Sequence, residues 1–521
     1  MEFVVTSEEM KQYDSYTIHQ IGIPAEVLME RAALFSFAKL KSFCLNRQIL
    51  IQESKILVVA GVGNNGGDGL ALARLLADYG LNVTIFIVGD KAKMSAQCKL
   101  QFQIIEKYNL NISDIYPDDE YDIIVDAIFG IGLSREISGI FAEVIEKINA
   151  SKALVVSLDI PSGIETDTGK LLGVAVKADA TFTFAYHKRG LLFYPGAEYA
   201  GKVYIGEIGI NDRSFSGNPP EMFTFQHSEW KLLVQKRKES GNKGTFGKVL
   251  MLCGSKDMAG AAIFSSKACY RSGAGMVKVI TPEENRVVLQ ESVPEAMLLT
   301  YSETSITATE WRNKLNESIA WADVLLAGPG LGRSDVCKEL LSVMINASDK
   351  TLVLDADALN LLSEDMVLQN DLVKSIDSCN RKVILTPHVG ELSRLIKWSI
   401  SEIKGNPVAA AREAVSKYKC IVVCKDARTI VCQPKRPIYL NSVGNSGLAT
   451  AGTGDVLAGM ISALSCKKDG DGFIQAISGV YLHAIAGEVV SFAKSKESMM
   501  ASDLIDALTY FQKVLTGEVD E

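Results

Sequence analysis

The stretch Lys55-Ile56-Leu57-Val58-Val59-Ala60-Gly61-Val62-Gly63-Asn64-Asn65-Gly66-Gly67-Asp68-Gly69 decides how this chain folds. Its apolar part, Ile56 to Ala60, has the pattern of a buried strand. Beyond it Leu72, Leu75, Leu76 and Tyr79 recur at i, i+3, i+4 and i+7, which predicts an amphipathic helix closed by Gly80. Between the two, Gly61, Gly63 and Gly66 satisfy GxGxxG, which lets a backbone approach a phosphate at a helix N-terminus. Asn64, Asn65 and Asp68 add side-chain oxygens that a plain dinucleotide turn lacks. A bare structural turn, with asparagine at left-handed angles and Asp68 as helix cap, accounts for the same residues.

The rhythm continues outward. NVTIFIVGD (82–90), YDIIVDAIFG (121–130), ALVVSLDIPSG (153–163), ADATFTF (178–184) and KVYIGEIGI (202–210) read as further strands with helical spacers. Such βαβ alternation predicts a parallel sheet with helices on both faces. Residues 211–229 then carry turn formers and no period. A second series follows in GKVLMLCG (247–254), GMVKVIT (275–281), ADVLLAGPG (322–330), TLVLDADAL (351–359), KVILTPH (382–388) and CIVVCKDARTIVC (420–432). The remainder reads as mostly helical. The expectation is an α/β chain of two different domains, 1–215 and 235–521, joined by a linker at 216–234.

Composition bounds what such a chain does. At roughly 150 residues per domain, 521 residues allow about three domains or two large ones. Apolar residues at 47% and charged residues at 22% exclude a mostly disordered protein. A net charge of −8 argues against broad binding to nucleic acid or anionic membrane, though not against one small anion held locally. No apolar run reaches the ~18 residues of a membrane span, and MEFVVTSEEM lacks a signal-peptide pattern. The ten cysteines stand singly without a CxxC pair, as reduced core thiols of a cytoplasmic protein do. The five histidines show no HxxxH or HExxH spacing, which excludes the common zinc patterns.

Chemistry-bearing residues gather where α/β sheets bind ligands, at strand C-termini. Asp126 ends DIIVD and precedes Gly130-Ile131-Gly132-Leu133-Ser134-Arg135-Glu136. Asp159 ends VVSLD and precedes Ile160-Pro161-Ser162-Gly163. In the second half, the run from Asn441 to Gly459 contains Gly452-Thr453-Gly454-Asp455 at the mouth of a helix. Amides of Gly452, Thr453 and Gly454 there would form an anion hole, with the Asp455 carboxylate facing the same space. That pairing suits phosphoryl transfer, the carboxylate accepting a hydroxyl proton.

GNNGGDG, DAIFGIG and LDIPSG together resemble the epimerase domain of the bifunctional NAD(P)H-hydrate repair enzymes, across essentially all of 1–215. The resemblance implies that Asn64, Asn65, Gly66, Gly67, Asp68, Gly130, Ile131, Gly132, Leu133, Ser134, Arg135, Glu136 and Asp159 contact a hydrated dinucleotide. It implies a potassium ion on Asn65, Asp126 and Ser162; such all-oxygen ligands suit a hard cation. The hydrate is a hemiaminal, so the ring nitrogen helps its hydroxyl leave and water re-adds on the other face. Asp159 is the expected acid/base group, by position and type.

GTGDxxxG resembles the anion-hole signature of ribokinase-like proteins. Gly244-Thr245-Phe246-Gly247-Lys248, Gly260-Ala261-Ala262, Arg271-Ser272-Gly273-Ala274-Gly275, Pro294-Glu295-Ala296-Met297, Gly328-Pro329-Gly330-Leu331-Gly332, Asp355-Ala356-Asp357-Ala358-Leu359 and Thr386-Pro387-His388-Val389-Gly390-Glu391 narrow this to the hydrate dehydratase branch, over nearly all of 240–510. The implied reaction phosphorylates the hydrate hydroxyl with ADP (or ATP) and eliminates phosphate, with Mg2+ as cofactor. By this resemblance Asp455 is the base, and Ala261, Gly332 and His388 contact the hydrate. Lys425, Asp426, Ala427, Arg428 and Thr429 with Gly452, Thr453 and Gly454 hold the nucleotide. Two positions depart from the pattern: Asp426 stands for the usual glycine, and Asn242 for the usual histidine before Lys243-Gly244.

The reading is therefore a Rossmann-like epimerase domain followed by a ribokinase-like dehydratase domain. Its substrates are the hydrates of NADH and NADPH (NADHX and NADPHX) with ADP or ATP. A homo-oligomer without nucleic-acid or membrane partners is expected. The rivals are a ribokinase-class small-molecule kinase with an N-terminal nucleotide-binding module, and an inactive N-terminal scaffold. GPGLG and TPHxGE disfavour the first; intact Asn65, Asp126, Asp159 and Ser162 disfavour the second.

Overall fold

The computed structural model describes residues 1–225, 229, 233, 239–302, 305–347, 349–467 and 470–516. They form two compact units, Glu2–Phe223 and Thr224–Glu521. Of the expected linker 216–234, residues 226–228, 230–232 and 234 lie outside the described residues, while Met222–Thr224 is a short strand.

The first unit is built on seven parallel strands: β1 (Lys55–Ala60), β2 (Asn82–Ile87), β3 (Asn111–Ser113), β4 (Ile123–Ala127), β5 (Leu154–Leu158), β6 (Ala180–Phe184) and β7 (Lys202–Gly206). Their spatial order is β3-β2-β1-β4-β5-β6-β7. Ile56, Leu57, Val58 and Val59 are all fully buried, because helices cover both faces of β1. The following helix, Asn64–Asp78, buries Leu70, Leu72, Ala73 and Leu76 against the sheet. Each leucine so buried contributes about 1.5–3 kcal/mol. Tyr79, expected on the buried stripe, is instead the exposed C-cap, since the helix ends one residue before it. The order reverses between β1 and β4, which opens a crevice at their C-terminal ends.

The second unit carries β8 (Lys248–Leu252), β9 (Met276–Pro282), β10 (Met297–Tyr301), β11 (Val324–Ala327), β12 (Thr351–Leu354), β13 (Val383–Leu385), β14 (Ile421–Cys424), β15 (Ile430–Cys432) and β16 (Ile438–Leu440). They lie in the order β10-β9-β8-β11-β12-β13-β14-β15-β16, parallel up to β14 and antiparallel beyond. Strands β10 and β16 escaped the sequence reading. The run 420–432 is a hairpin broken at 425–429, because the apolar pattern stops there. This sheet also reverses order, between β8 and β11.

One expectation needs correction. The helix Gly472–Ala493 is long and apolar enough to cross a membrane by length and composition. Gln475, Ser478, His483 and Glu488 interrupt its apolar run but do not lower its average enough to fail that test. Since 83% of its apolar window is buried inside the protein, it is a core helix. All ten cysteines are free, and all but Cys379 are buried.

Candidate functional site

In the first unit the segments following β1 and β4 line one cleft of about 1470 Å³. Asn64, Asn65, Asp68, residues 130–135 and Asp159 all face it. Gly66, Gly67 and Glu136 do not. A β-carbon on Gly66 would stand 1.9 Å from the Gly61 carbonyl oxygen, so this glycine serves close helix–strand packing. Gly63, by contrast, has nothing within 4 Å of such a carbon. Asn64 and Asn65 are helical with Gly63 as N-cap, and Asp68 lies in the second turn. The bare-turn alternative therefore fails.

Asp159 sits one residue past β5 with φ +65°, a left-handed backbone that aspartate adopts at some cost. Its amide donates to Phe182 O at 2.7 Å. Its Oδ2 accepts from the Ile131 amide at 3.3 Å. A β-carbon on Gly130 would come within 3.0 Å of that oxygen, so the loop approaches closely only as glycine. The other oxygen, Oδ1, lies 2.7 Å from Lys188 Nζ. Asp14 also lines the cleft, brought there by the helix Ser7–Tyr16. Burial and then the charges of Asp159 and Asp14 push the Asp68 carboxyl well above the usual range, against the opposing Lys188. Burial and Asp159 push Asp14 up too, with His19 opposing.

Beneath the cleft, Asp126 is fully buried. Its oxygens accept from Ser157 Oγ (2.7 Å), Ser162 Oγ (2.6 Å), Ser162 N (2.9 Å) and Ile128 N (3.2 Å). Asn65 donates through Nδ2 to Phe129 O at 3.0 Å, and the Phe129 amide donates to Ser162 Oγ at 2.9 Å. Asn65 Oδ1 is left buried without a hydrogen-bond partner. An orphaned acceptor of this kind is what a cation ligand looks like when only protein is counted.

In the second unit the reversal of strand order brings Ala261 and the Gly328–Gly332 loop together; a β-carbon on Gly330 would lie 2.7 Å from Ala261 Cβ. The Gly332 amide donates to Asp357 Oδ2 at 2.9 Å. Asp355, just past β12, is buried and accepts from Thr386 Oγ1 (2.7 Å) and Lys425 Nζ (2.6 Å). The neighbouring Ala356 holds φ +46°. Lys425 Nζ would stand 3.4 Å from a β-carbon on Gly454, so the ammonium lies against the glycine loop. Burial, then Asp355, push the Asp455 carboxyl up to about 7, with Lys425 opposing. His388 caps the helix Val389–Ile396, its Nδ1 accepting from Gly390 N at 3.0 Å. His388 Nε2 lies 3.2 Å from Glu391 Oε1, and its side chain remains 55% exposed.

The helix Thr453–Leu464 starts at Gly452, φ +89°. The Thr453 amide is already given to Thr450 O at 3.3 Å, so it is not an open member of the expected anion hole. His483, buried and held neutral by desolvation with its pKa lowered to about 4, donates from Nε2 to Thr453 O at 3.0 Å. Asp426 avoids left-handed angles and accepts from the Ala427 amide at 2.8 Å, so the turn does not require the glycine it replaces. Arg428 donates to Ser442 O at 2.9 Å, and Thr429 O accepts from the Asn441 amide at 2.8 Å. Asn242 closes its own turn, its Oδ1 accepting from the Gly244 amide at 2.9 Å.

Sequence reasoning missed Lys188, Asp14 and His483. A charged residue four positions past the end of the apolar ADATFTF strand was the available signal for Lys188, and a lone histidine in an apolar helix for His483. Asp14 gave none.

Known proteins match both halves. The family model described as YjeF-related protein N-terminus matches residues 25–190, and that described as NAD(P)H-hydrate dehydratase matches residues 249–510. The bifunctional NAD(P)H-hydrate repair enzyme Nnr of Moorella thermoacetica is 33% identical, over 99% of this chain and 98% of that one. Its counterpart in Thermofilum pendens is 33% identical over 97% and 95%. A solved ADP/ATP-dependent NAD(P)H-hydrate dehydratase from Bacillus subtilis, co-crystallised with ATP/Mg2+, is 26% identical. It covers 56% of this chain and 97% of that one, with a TM-score of 0.47.

Proposed function

The chain belongs to the bifunctional NAD(P)H-hydrate repair enzymes, an epimerase joined to a dehydratase, and on that premise we propose how its residues divide the work. The epimerase occupies the N-terminal domain, 1–215, and the dehydratase the C-terminal domain, 235–521. The carrying observation is that each unit holds, at its site, a carboxylate of distinct environment: Asp159 beside a buried ammonium, Asp455 in the first turn of a helix.

In the epimerase cleft Asn64, Asn65, Asp68 and the 130–135 loop hold the hydrated dinucleotide. Loss of the ring hydroxyl gives an iminium ion and water. Asp159 supplies the proton to the departing hydroxyl and takes one from the water that adds on the opposite face, so the proton balance closes. The orphaned Asn65 Oδ1 fits a potassium ion shared with Asp126 and Ser162. When bound, such an ion supplies positive charge beneath the cleft and fixes these oxygens.

In the dehydratase site, Asp455 takes the proton of the hydrate hydroxyl as it attacks the terminal phosphoryl group of ADP or ATP. The glycine loop and Lys425 neutralise the transferred group. Phosphate then leaves with the C–O electron pair, and the adjacent ring carbon gives its proton to the departing phosphate or to water, which restores NADH or NADPH. Ala261, Gly332 and His388 border the hydrate; residues 425–429 and Gly454 border the nucleotide. Among the described residues no group of three His, Cys, Asp or Glu side chains gathers as a metal cage. A Mg2+ ion held by one or two carboxylates and the phosphates needs no such cage, and it would arrive with the nucleotide.

The test uses separated R and S hydrates of NADH and follows recovery of absorbance at 340 nm with ADP or ATP. Wild-type protein should recover both epimers, and Asp159→Asn only the S form at full rate. Asp455→Asn should recover neither while still equilibrating R with S. Recovery of both epimers at the wild-type rate by Asp159→Asn would remove Asp159 from its role.

A further inference from the structure

Lys188 is 1% exposed, yet its ammonium reaches the wall of the cleft. A buried lysine is costly unless every donor finds an oxygen. Here each does: Nζ meets Asp159 Oδ1 at 2.7 Å, Phe184 O at 2.7 Å and Thr183 Oγ1 at 2.9 Å. The backbone is shaped for this meeting. Ala185, just past β6, holds φ +63°, and Asp159, just past β5, holds φ +65°. Two neighbouring strand ends thus take left-handed turns on residues other than glycine, and the two side chains meet between them. Strain of this kind persists only where surrounding contacts over-determine it.

The pair also orients the carboxylate. Asp159 Oδ1 is held by the ammonium and Oδ2 by the Ile131 amide of the loop that lines the cleft. Two further carboxyl groups, Asp14 and Asp68, face the same space. Lys188 is the ammonium that meets Asp159 directly among these three acids.

We infer that Lys188 is a positioning residue of the epimerase, fixing the Asp159 carboxylate toward the reacting ring carbon. This rests on the reading of Asp159 as the acid/base group.

The test measures R-to-S interconversion of NADHX without nucleotide in the full chain, for Lys188→Ala and for Lys188→Met, which keeps part of the apolar stem. Binding of the equilibrated NADHX mixture is measured by calorimetry alongside. The expected result is a fall in kcat of about 10²-fold with affinity within about threefold. Millimolar ethylammonium should restore part of the rate in Lys188→Ala, and adding Lys188→Ala to Asp159→Asn should cause no further loss. Wild-type kcat in Lys188→Ala overturns the inference. So does a loss that adds fully to that of Asp159→Asn, or loss of binding in both variants, which would make Lys188 a strut of the fold. Should Asp159→Asn alone retain the wild-type rate, the reading of Asp159 fails instead, a result the same series distinguishes.

Discussion

Lys425 and Asp355 meet at 2.6 Å in the dehydratase unit, one 18% exposed and the other 2%. The pair holds an ammonium against the glycine loop while adding negative charge near Asp455. Asp355→Asn frees Lys425 and removes that charge. Dehydration should fall about 10²-fold, epimerisation should stay, and the acidic limb of the dehydration pH profile should move to lower pH. Rates of both reactions across pH 5–9 check this.

The Asp455 carboxyl, pushed up to about 7, sets a pH dependence of known sign. A base works ionised, so dehydration should climb as pH rises through about 7 and fall below it. Single-turnover rates at saturating hydrate and nucleotide give the profile, which Asp455→Asn should abolish.

Asn65 Oδ1 predicts a cation effect visible without turnover. Potassium, more than sodium at equal ionic strength, should raise the melting temperature of the N-terminal unit. Asn65→Ala should erase the difference. Thermal shift measurements on the full chain decide it.

His483 predicts a stability trend in the other unit. Its folded pKa near 4 lies below the ordinary 6.5, so the unfolded chain binds the extra proton between those values. Stability is thus complete above about 6.5 and is lost as pH falls toward 4, by roughly 3 kcal/mol. His483→Gln should flatten that slope. The N-terminal unit, Glu2–Phe223, has no tryptophan in its sequence, so the fluorescence of Trp311, Trp321 and Trp398 in urea reports the other unit.

Gly66 and Gly63 should respond oppositely to the same change. Gly66→Ala drives a methyl group into the Gly61 carbonyl and should destabilise the N-terminal unit by about 1–3 kcal/mol or more. Gly63→Ala meets nothing within 4 Å and should leave stability unaltered while raising KM for the hydrate. Melting curves and epimerase kinetics separate the two.

The strands were legible because Ile56–Val59 and their counterparts are buried on both faces, which leaves an unbroken apolar run in the chain. The loop residues were legible as motifs, since glycine and asparagine beside strand ends constrain backbone and chemistry together. What stayed hidden depends on chain direction. Lys188 reaches Asp159 only because Ala185 and Asp159 turn left-handed, and neither residue type announces that angle. His483 acts through a carbonyl, a group every residue carries. The packing role of Gly66 stayed hidden, because a glycine needed for packing and one needed for a phosphate look alike in one dimension.

The left-handed backbone at Asp159 sets ease of folding against chemistry at one residue. Glycine suits that angle without strain, and asparagine adopts it readily. A backbone built for durability alone would carry one of those two here. Aspartate paired to a buried lysine gives up that ease, and the acid/base role proposed for Asp159 is what would account for the exchange.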